Sequence, residues 1–415
     1  MRITRKKLDA SIIAVLVLAG VQTASADVVT DWNLVAKTAI VNNAGKPPTT
    51  GAAILSYVHG AVYDAVEAID GRHEPYAYRP VALAPSASRE AAVASAAYHI
   101  LVTFFPTQQA FLDGAYSSSL AAIPDGAAKT AGIGIGASSS AAMFAHRVGD
   151  GLEASVPYVP GAGPGVWQPT PPAFLPALTP WAALLRPFTM TSTDQFRAEG
   201  PPSLDSAQWA EDYNEAKAYG AAVGSSRTPE QTELGRFWTE NPTAQYTRIW
   251  RDLAIARGLT VSENARLFAM LSMAFADALI AAWDSKFFYN FWRPVTAIRA
   301  GDTDGNADTT ADLAWSSAQG TPNHPEYPAA HSTAGSAISG VIAEFFGTKK
   351  VQIVLSSAVT GTSHVVDSTD DFAKELIEAR IFGGMHYRTS GRHGVAMGGK
   401  VTNWLSKHFF APVGQ

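Results

Sequence analysis

Five residues in the last third of the chain combine cationic and imidazole side chains. Lys286 and Arg293 lie in KFFYNFWRP, His331 in YPAAH, and Arg380 and His386 in ARIFGGMH. Two guanidinium groups and an ammonium can neutralise a multiply charged tetrahedral oxyanion, arginine through a planar fork and lysine as a point charge. Two imidazoles beside it can then act, one as nucleophile or ligand and the other as general acid. Alone, each histidine reads as a structural contact and each cation as a solvated one. Lys286 and Arg293, however, stand among Phe287, Phe288, Tyr289, Phe291 and Trp292, and a buried cation requires a partner anion.

Helical elements must present these groups. Lys286 and Arg293 are seven residues apart, so a continuous helix would place them on one face, with Pro294 limiting its extension. Pro328 suits the first position of a helix that stops at Gly347. The amides of Ala329, Ala330 and His331 are then expected in the unsatisfied first turn, a ready anion site. Ser368 with Asp371 reads as another helix start. Arg380 falls near its end, and Gly383-Gly384 allows a sharp turn into His386.

Helical periodicity predicts further helices over 50–68, 88–105, 127–146, 206–219 and 229–238. Thr260-Val-Ser-Glu263 is a capping box that opens the apolar run LFAMLSMAFADALIAAW, whose one charge is Asp277. That run is short for a membrane span and carries an acid at its middle, so it reads as the buried helix of a bundle. Residues 27–50 read as an extended entry segment. Residues 155–205, dense in Pro, Gly and aromatics, read as a long ordered loop and a wall of the site. The expected architecture is all-α: an N-terminal helical region over 27–250 containing that loop, then a C-terminal helical bundle over 251–415 carrying the oxyanion site.

The composition agrees with compact helical packing. Hydrophobic residues make up 47% of the 415 positions and charged residues 16%, with alanine and glycine abundant. There is no cysteine, which excludes disulfides, thiolate metal sites and cysteine nucleophiles. Arg2, Arg5, Lys6 and Lys7, the apolar stretch Ile12 to Val21 and Ala24-Ser25-Ala26 form an export signal over 1–26. The expectation is a periplasmic or secreted protein starting at Asp27. Cleavage removes four cations and one acid and moves the net charge from −5 to −8. An acidic mature chain argues against nucleic acid and anionic membrane as partners, and no stable membrane insertion is expected after cleavage.

The motif K-x6-R-P, then P-x-x-H, then R-x3-G-x-H resembles the signature of the vanadium-dependent haloperoxidase and type 2 phosphatidic acid phosphatase superfamily. FWRPVTAIRAGDTDGN, TPNHPEYPAAHST and GGMHYR, with VHGAVYDAVEAIDG and PGVWQPTPPAF upstream, are similar to the soluble exported bacterial haloperoxidase branch. The resemblance implies a helical bundle of that type and vanadate as cofactor. It implies that Lys286, Arg293, Arg380 and the Ala330 amide bind the oxyanion. His386 would be the axial vanadium ligand, His331 the acid–base residue, and Lys286 the cation that polarises peroxide. Hydrogen peroxide, halide and a small organic acceptor would be the partners, and homo-oligomerisation stays open. The alternative is an exported acid phosphatase in which His386 forms a phosphohistidine. A catalytically silent oxyanion-binding protein is also compatible. The family often has Ser-Gly where Ala329 and Ala330 stand, and Asp where Ser390 stands, which leaves open what orients His386.

Weaker signals point to structure. Asp302, Asp304, Asn306 and Asp308 imitate a calcium loop without its sixth-position glycine or its twelfth-position glutamate, and read as a polar turn. Gly132, Gly134 and Gly136 follow no strand and read as helix packing. Asp277 is expected to pair with a buried cation. His59, His99, His324 and His393 are read as structural.

Overall fold

The computed structural model describes residues 26–414. All but the last residue of the expected export signal lies outside them. Thirteen α-helices dominate the described residues. They are α1 (Val28–Lys37), α2 (Pro48–Asp70), α3 (Arg89–Phe104), α4 (Gln109–Ala121), α5 (Ala127–His146), α6 (Ala207–Gly220), α7 (Pro229–Phe237), α8 (Pro242–Arg257), α9 (Val261–Tyr289), α10 (Pro294–Arg299), α11 (Ala330–Phe346), α12 (Thr369–Phe382) and α13 (Arg388–His408). A short antiparallel hairpin joins β1 (Ile353–Ser356) to β2 (Ser363–Val366), with Ile353 opposite Val366.

The long helix α9 is the axis of the molecule. Its capping box forms as read, with the Thr260 hydroxyl accepting from the Glu263 amide. It packs against α2, α11 and α13. Its most apolar stretch is 94% buried inside the protein, the environment of a core helix. Close packing of α11 on α13 depends on missing side chains: a Cβ on Gly398 would lie 2.3 Å from the Thr333 carbonyl oxygen. In α5, Gly132 and Gly136 play the same part against α3.

The start of the described chain differs from the sequence expectation. Residues 28–37 are helical and continue into a π-helical turn over Thr38–Asn43. The reason is local: the Asp27 carboxylate accepts from the amides of Val29 and Thr30, while the Thr30 hydroxyl accepts from the Asp27 amide.

The segment 155–205 is an ordered loop, pinned by backbone pairing and buried acids. Trp167 donates its amide to Asn290, and Trp292 donates to Gly165. Asp277 takes no cation. Its carboxylate accepts from the amides of Phe188, Thr189 and Met190 and from the Thr189 hydroxyl. Further along, Arg197 forks onto Asp284 at 2.7 and 2.9 Å. One helix, α9, thus supplies both acids that clamp the loop.

Candidate active site

Lys286 and Arg293 come together by a route other than a shared helix face. α9 ends at Tyr289 because Asn290 adopts a left-handed conformation, φ 50°, and returns its amide to the Lys286 carbonyl. Arg293 then caps α10. The turn between them packs both side chains, fully buried, against the segment 324–328.

That segment leads into α11. The helix begins at Ala330 with Ala329 as its cap, two residues later than Pro328 suggested. The Ala329 amide is bound to the Ser390 carbonyl, so the unsatisfied first-turn amides start at Ala330 and include His331. On the third element, Arg380 lies in the last turn of α12. Gly384 follows with φ 74°, and a Cβ there would lie 2.3 Å from the Gly220 carbonyl oxygen. Only glycine fits, and the reversal it permits brings His386 back beside Arg293.

A cavity of about 480 Å³ lies at this convergence. Ala330, His331, Arg380 and His386 line it, with His324, Trp238, Tyr246, Trp283 and Met385 among the other walls. Leu178 contributes from the Pro-rich loop, which is therefore a wall of the cavity.

The hydrogen bonds rank the cations by availability. Lys286 donates to the carbonyls of Pro325, Glu326 and Pro328 at 2.9, 2.7 and 2.6 Å, so all three ammonium protons meet backbone. Arg293 donates from Nε to the His324 carbonyl and from Nη1 to the Met385 carbonyl and to His386 Nε2 at 3.1 Å. Its Nη2 faces His324 Nδ1 at 3.0 Å. Neither residue is among the cavity walls. Arg380 does line it: Nη1 donates to the Trp238 carbonyl, Nη2 to the Met385 sulfur, and Nε has no partner. His331 Nε2 is likewise buried without a partner.

Two participants were not expected from the sequence. Glu326 is fully buried and holds His386: its Oε1 accepts from Nδ1 at 2.7 Å and from the Tyr387 amide at 3.2 Å. A carboxylate on Nδ1 fixes the proton there and leaves the lone pair on Nε2. Glu326 thus answers what orients His386 where Ser390 replaces an acid. The hint was a lone acid in the proline-rich stretch NHPEYP. His324, expected to be structural, supports Arg293 and also faces the cavity, its ring 4.7 Å from that of Trp283.

Burial dominates the electrostatics. Desolvation pulls the Arg380 guanidinium down to about 9 and that of Arg293 to about 10, with Arg293 adding repulsion at Arg380. Lys286 is held well below the usual lysine range by burial, then by Arg293. His331 and His386 are kept neutral by burial and by neighbouring cations. The Glu326 carboxyl is pushed up to about 7 by burial, against the pull of Lys286 and Arg293. Three buried cations face one buried acid, an imbalance that a multiply charged anion would relieve.

Elsewhere, Asp304 accepts from the Trp209 indole and the Thr309 hydroxyl. Asn306 donates to the carbonyls of Leu204 and Ser206, so this stretch is the polar turn expected. No group of three or more metal-ligating side chains occurs among the described residues.

Comparison with known proteins bears on the fold and on the C-terminal region. Residues 266–414 match the family model described as the VCPO second helical-bundle domain. A vanadium chloroperoxidase of Curvularia inaequalis is 27% identical over 185 residues, 38% of this chain and 30% of that protein. The alignment therefore spans under a third of that relative's length. The crystal structure of a bacterial vanadium-dependent iodoperoxidase superposes with a TM-score of 0.79 at 22% identity, over 92% of this chain and 97% of that one. A bacterial vanadium-dependent chloroperoxidase, in its apo form, gives 0.71 at 19% identity, over 87% and 93%. At such identities the structural likeness speaks to the fold.

Proposed function

We infer that this chain, which has the fold of the vanadium-dependent haloperoxidases and carries a VCPO second helical-bundle domain, oxidises a halide with hydrogen peroxide on vanadate held in the 480 Å³ cavity. One observation carries the reading. Two orphaned nitrogens, Arg380 Nε and His331 Nε2, belong to walls of a cavity backed by two more buried cations. Such a lining suits a tetrahedral oxyanion.

Arg380 would hold the oxyanion, helped by the amides at the start of α11. His386 Nε2, left unprotonated by the Glu326 contact at Nδ1, would hold vanadate in exchange for the hydrogen bond it now accepts from Arg293. Lys286 and Arg293 act from behind: their charge lowers the potential for an anion, and reaching it directly requires each to exchange a present hydrogen bond. His331, held well below the usual histidine range by burial, lines the same cavity and would take a proton from peroxide and return it to a leaving oxygen. Bound vanadate would supply Lewis acidity that activates peroxide toward halide without changing its own oxidation state. Trp283, Phe275, Leu279 and Tyr246 give the cavity an apolar side, while Glu240, Asn241 and Gln319 are also among its walls. With alanine at 329 and 330, the start of α11 offers an oxyanion backbone amides from Ala330 onward and no side-chain hydroxyl at these two positions.

The test is peroxide-dependent bromination or iodination of a phenol dye before and after reconstitution with orthovanadate. A vanadate-dependent rate supports the reading. No such rate with any halide, together with trapping of a 32P-labelled histidine at 386, would replace it with the phosphatase reading, in which the same Nε2 attacks phosphorus. Export to the periplasm or medium is proposed on the N-terminal signal alone and is checked by N-terminal sequencing of the secreted chain.

A further inference from the structure

Met385 stands between the glycine that turns the chain and the histidine that the turn delivers. It is 2% exposed, yet it is a wall of the cavity shared by His331, Arg380 and His386. Its sulfur accepts from Arg380 Nη2 at 3.0 Å. Its methyl group lies over Gly383, where a Cβ would come within 2.6 Å of it. The other described methionines, Met143, Met190, Met270, Met273 and Met397, are also buried, at 6% exposure or less, and none lines this cavity. Exposure to bulk solvent therefore does not distinguish the six. Access to the reacting atoms does.

A thioether is a soft two-electron reductant. We propose that Met385 is an oxidation site built into the cavity, whose conversion to the sulfoxide switches off oxyanion binding through Arg380. The inference rests on the haloperoxidase reading, which supplies the oxidant. With hydrogen peroxide, the sulfur lone pair forms an S–O bond, the O–O bond breaks and water leaves. With hypohalous acid, sulfur loses two electrons, the halogen gains them and departs as halide, and one proton is released. Either route gives one sulfoxide per oxidant.

The consequence follows from the Arg380 contact. A thioether sulfur is a weak acceptor, so Arg380 stays able to turn toward an anion. A sulfoxide oxygen is a strong, polar acceptor placed beside the same guanidinium, and it competes with the oxyanion for those donors. Sulfoxide reduction would restore the original state.

The experiment uses vanadate-reconstituted full-length protein incubated with peroxide, iodide or bromide, and a phenol dye. Dye halogenation and peptide mass spectrometry are followed in the same samples. Met385 is expected to gain one oxygen about tenfold faster than the other five described methionines, and to lose that preference when vanadate is omitted. Equal oxidation of all six during active dye turnover would overturn the proposal and leave the haloperoxidase reading standing. No vanadate-dependent dye halogenation would overturn both. Met385→Leu, a volume-conserving exchange, provides the second arm. Its rate, normalised to its own initial value, should decay several-fold more slowly than that of the wild type, and equal decay would overturn the switch.

Discussion

Glu326 and His386 are sixty residues apart in the chain and 2.7 Å apart in the fold. The carboxylate accepts a hydrogen bond from Nδ1–H and keeps the proton on that nitrogen, so Nε2 is the nitrogen that can ligate or attack. Substituting Glu326→Ala should weaken vanadate binding by about 10- to 100-fold, the usual cost of removing a partner that orients a ligand. Glu326→Gln, which can still accept from Nδ1, should lose less. Equilibrium dialysis against vanadate measures both.

The same contact sets a pH dependence. Burial raises the Glu326 carboxyl from 4.5 to about 7. Above that value the group is a carboxylate and accepts a hydrogen bond from Nδ1–H. Below it the group is neutral and its own proton is offered to the imidazole, which favours the wrong tautomer. Affinity in the wild type should therefore fall as pH drops through about 7, and Glu326→Gln should lack that limb. Parallel slopes in the two proteins would remove Glu326 as the cause.

Arg380 is the cation best placed to touch an anion, because it lines the cavity and its Nε has no partner. Arg380→Ala should reduce vanadate affinity by about 100-fold or more, as removal of one member of a buried, hydrogen-bonded charge pair does. Arg380→Lys keeps the charge without the fork and should fall between. Fluorescence titration with vanadate, aided by the cavity-wall Trp238 and Trp283, reads all three proteins.

That Ala330, His331, Arg380 and His386 would meet was legible in the sequence, and the way their elements are assembled was only partly so. α5 begins at Ala127 and ends at His146 as periodicity indicated, and Thr260 caps α9 as its spacing with Glu263 required. Such signals are local. The Lys286–Arg293 relationship failed as a helical face because Asn290, a non-glycine residue, takes a left-handed conformation that stabilises a stop. Asp277 was read as an ion-pair partner, since a buried acid must be satisfied, but three consecutive amides of a distant loop satisfy it. Spacing cannot reveal that, and Glu326 escaped for the same reason: its partner lies on another element. The helix α1 was hidden because Thr30, and not the usual Glu or Gln, completes its capping box.

Asp277 yields a stability prediction. Asparagine there keeps one acceptor oxygen and brings an amide that faces donors already in place. Asp277→Asn should destabilise the protein by about 1–3 kcal/mol, the cost of leaving a buried donor unsatisfied. The loop at 187–190 should loosen with it. Urea denaturation gives the first value, and faster amide exchange at Phe188, Thr189 and Met190 gives the second.

A different histidine tests pH-dependent stability away from the cavity. His364 on β2 lies between Glu375, 2.8 Å from Nδ1, and Glu233, 3.0 Å from Nε2. Burial lowers its pKa, but the two carboxylates outweigh it and raise the value above 6.5. A raised folded-state value stabilises the fold fully below the unfolded value and loses that contribution as pH rises through the folded one. The difference in melting temperature between wild type and His364→Gln should therefore be largest below pH 6.5 and shrink at alkaline pH. A difference that grows with pH would contradict the assignment.

The most direct test of the account is calorimetric titration of the purified protein with orthovanadate. The account predicts one vanadate per chain, displaced competitively by phosphate, and lost in both His386→Ala and Arg380→Ala while those variants keep the wild-type circular dichroism. Absence of binding, or binding that survives both substitutions, would contradict it.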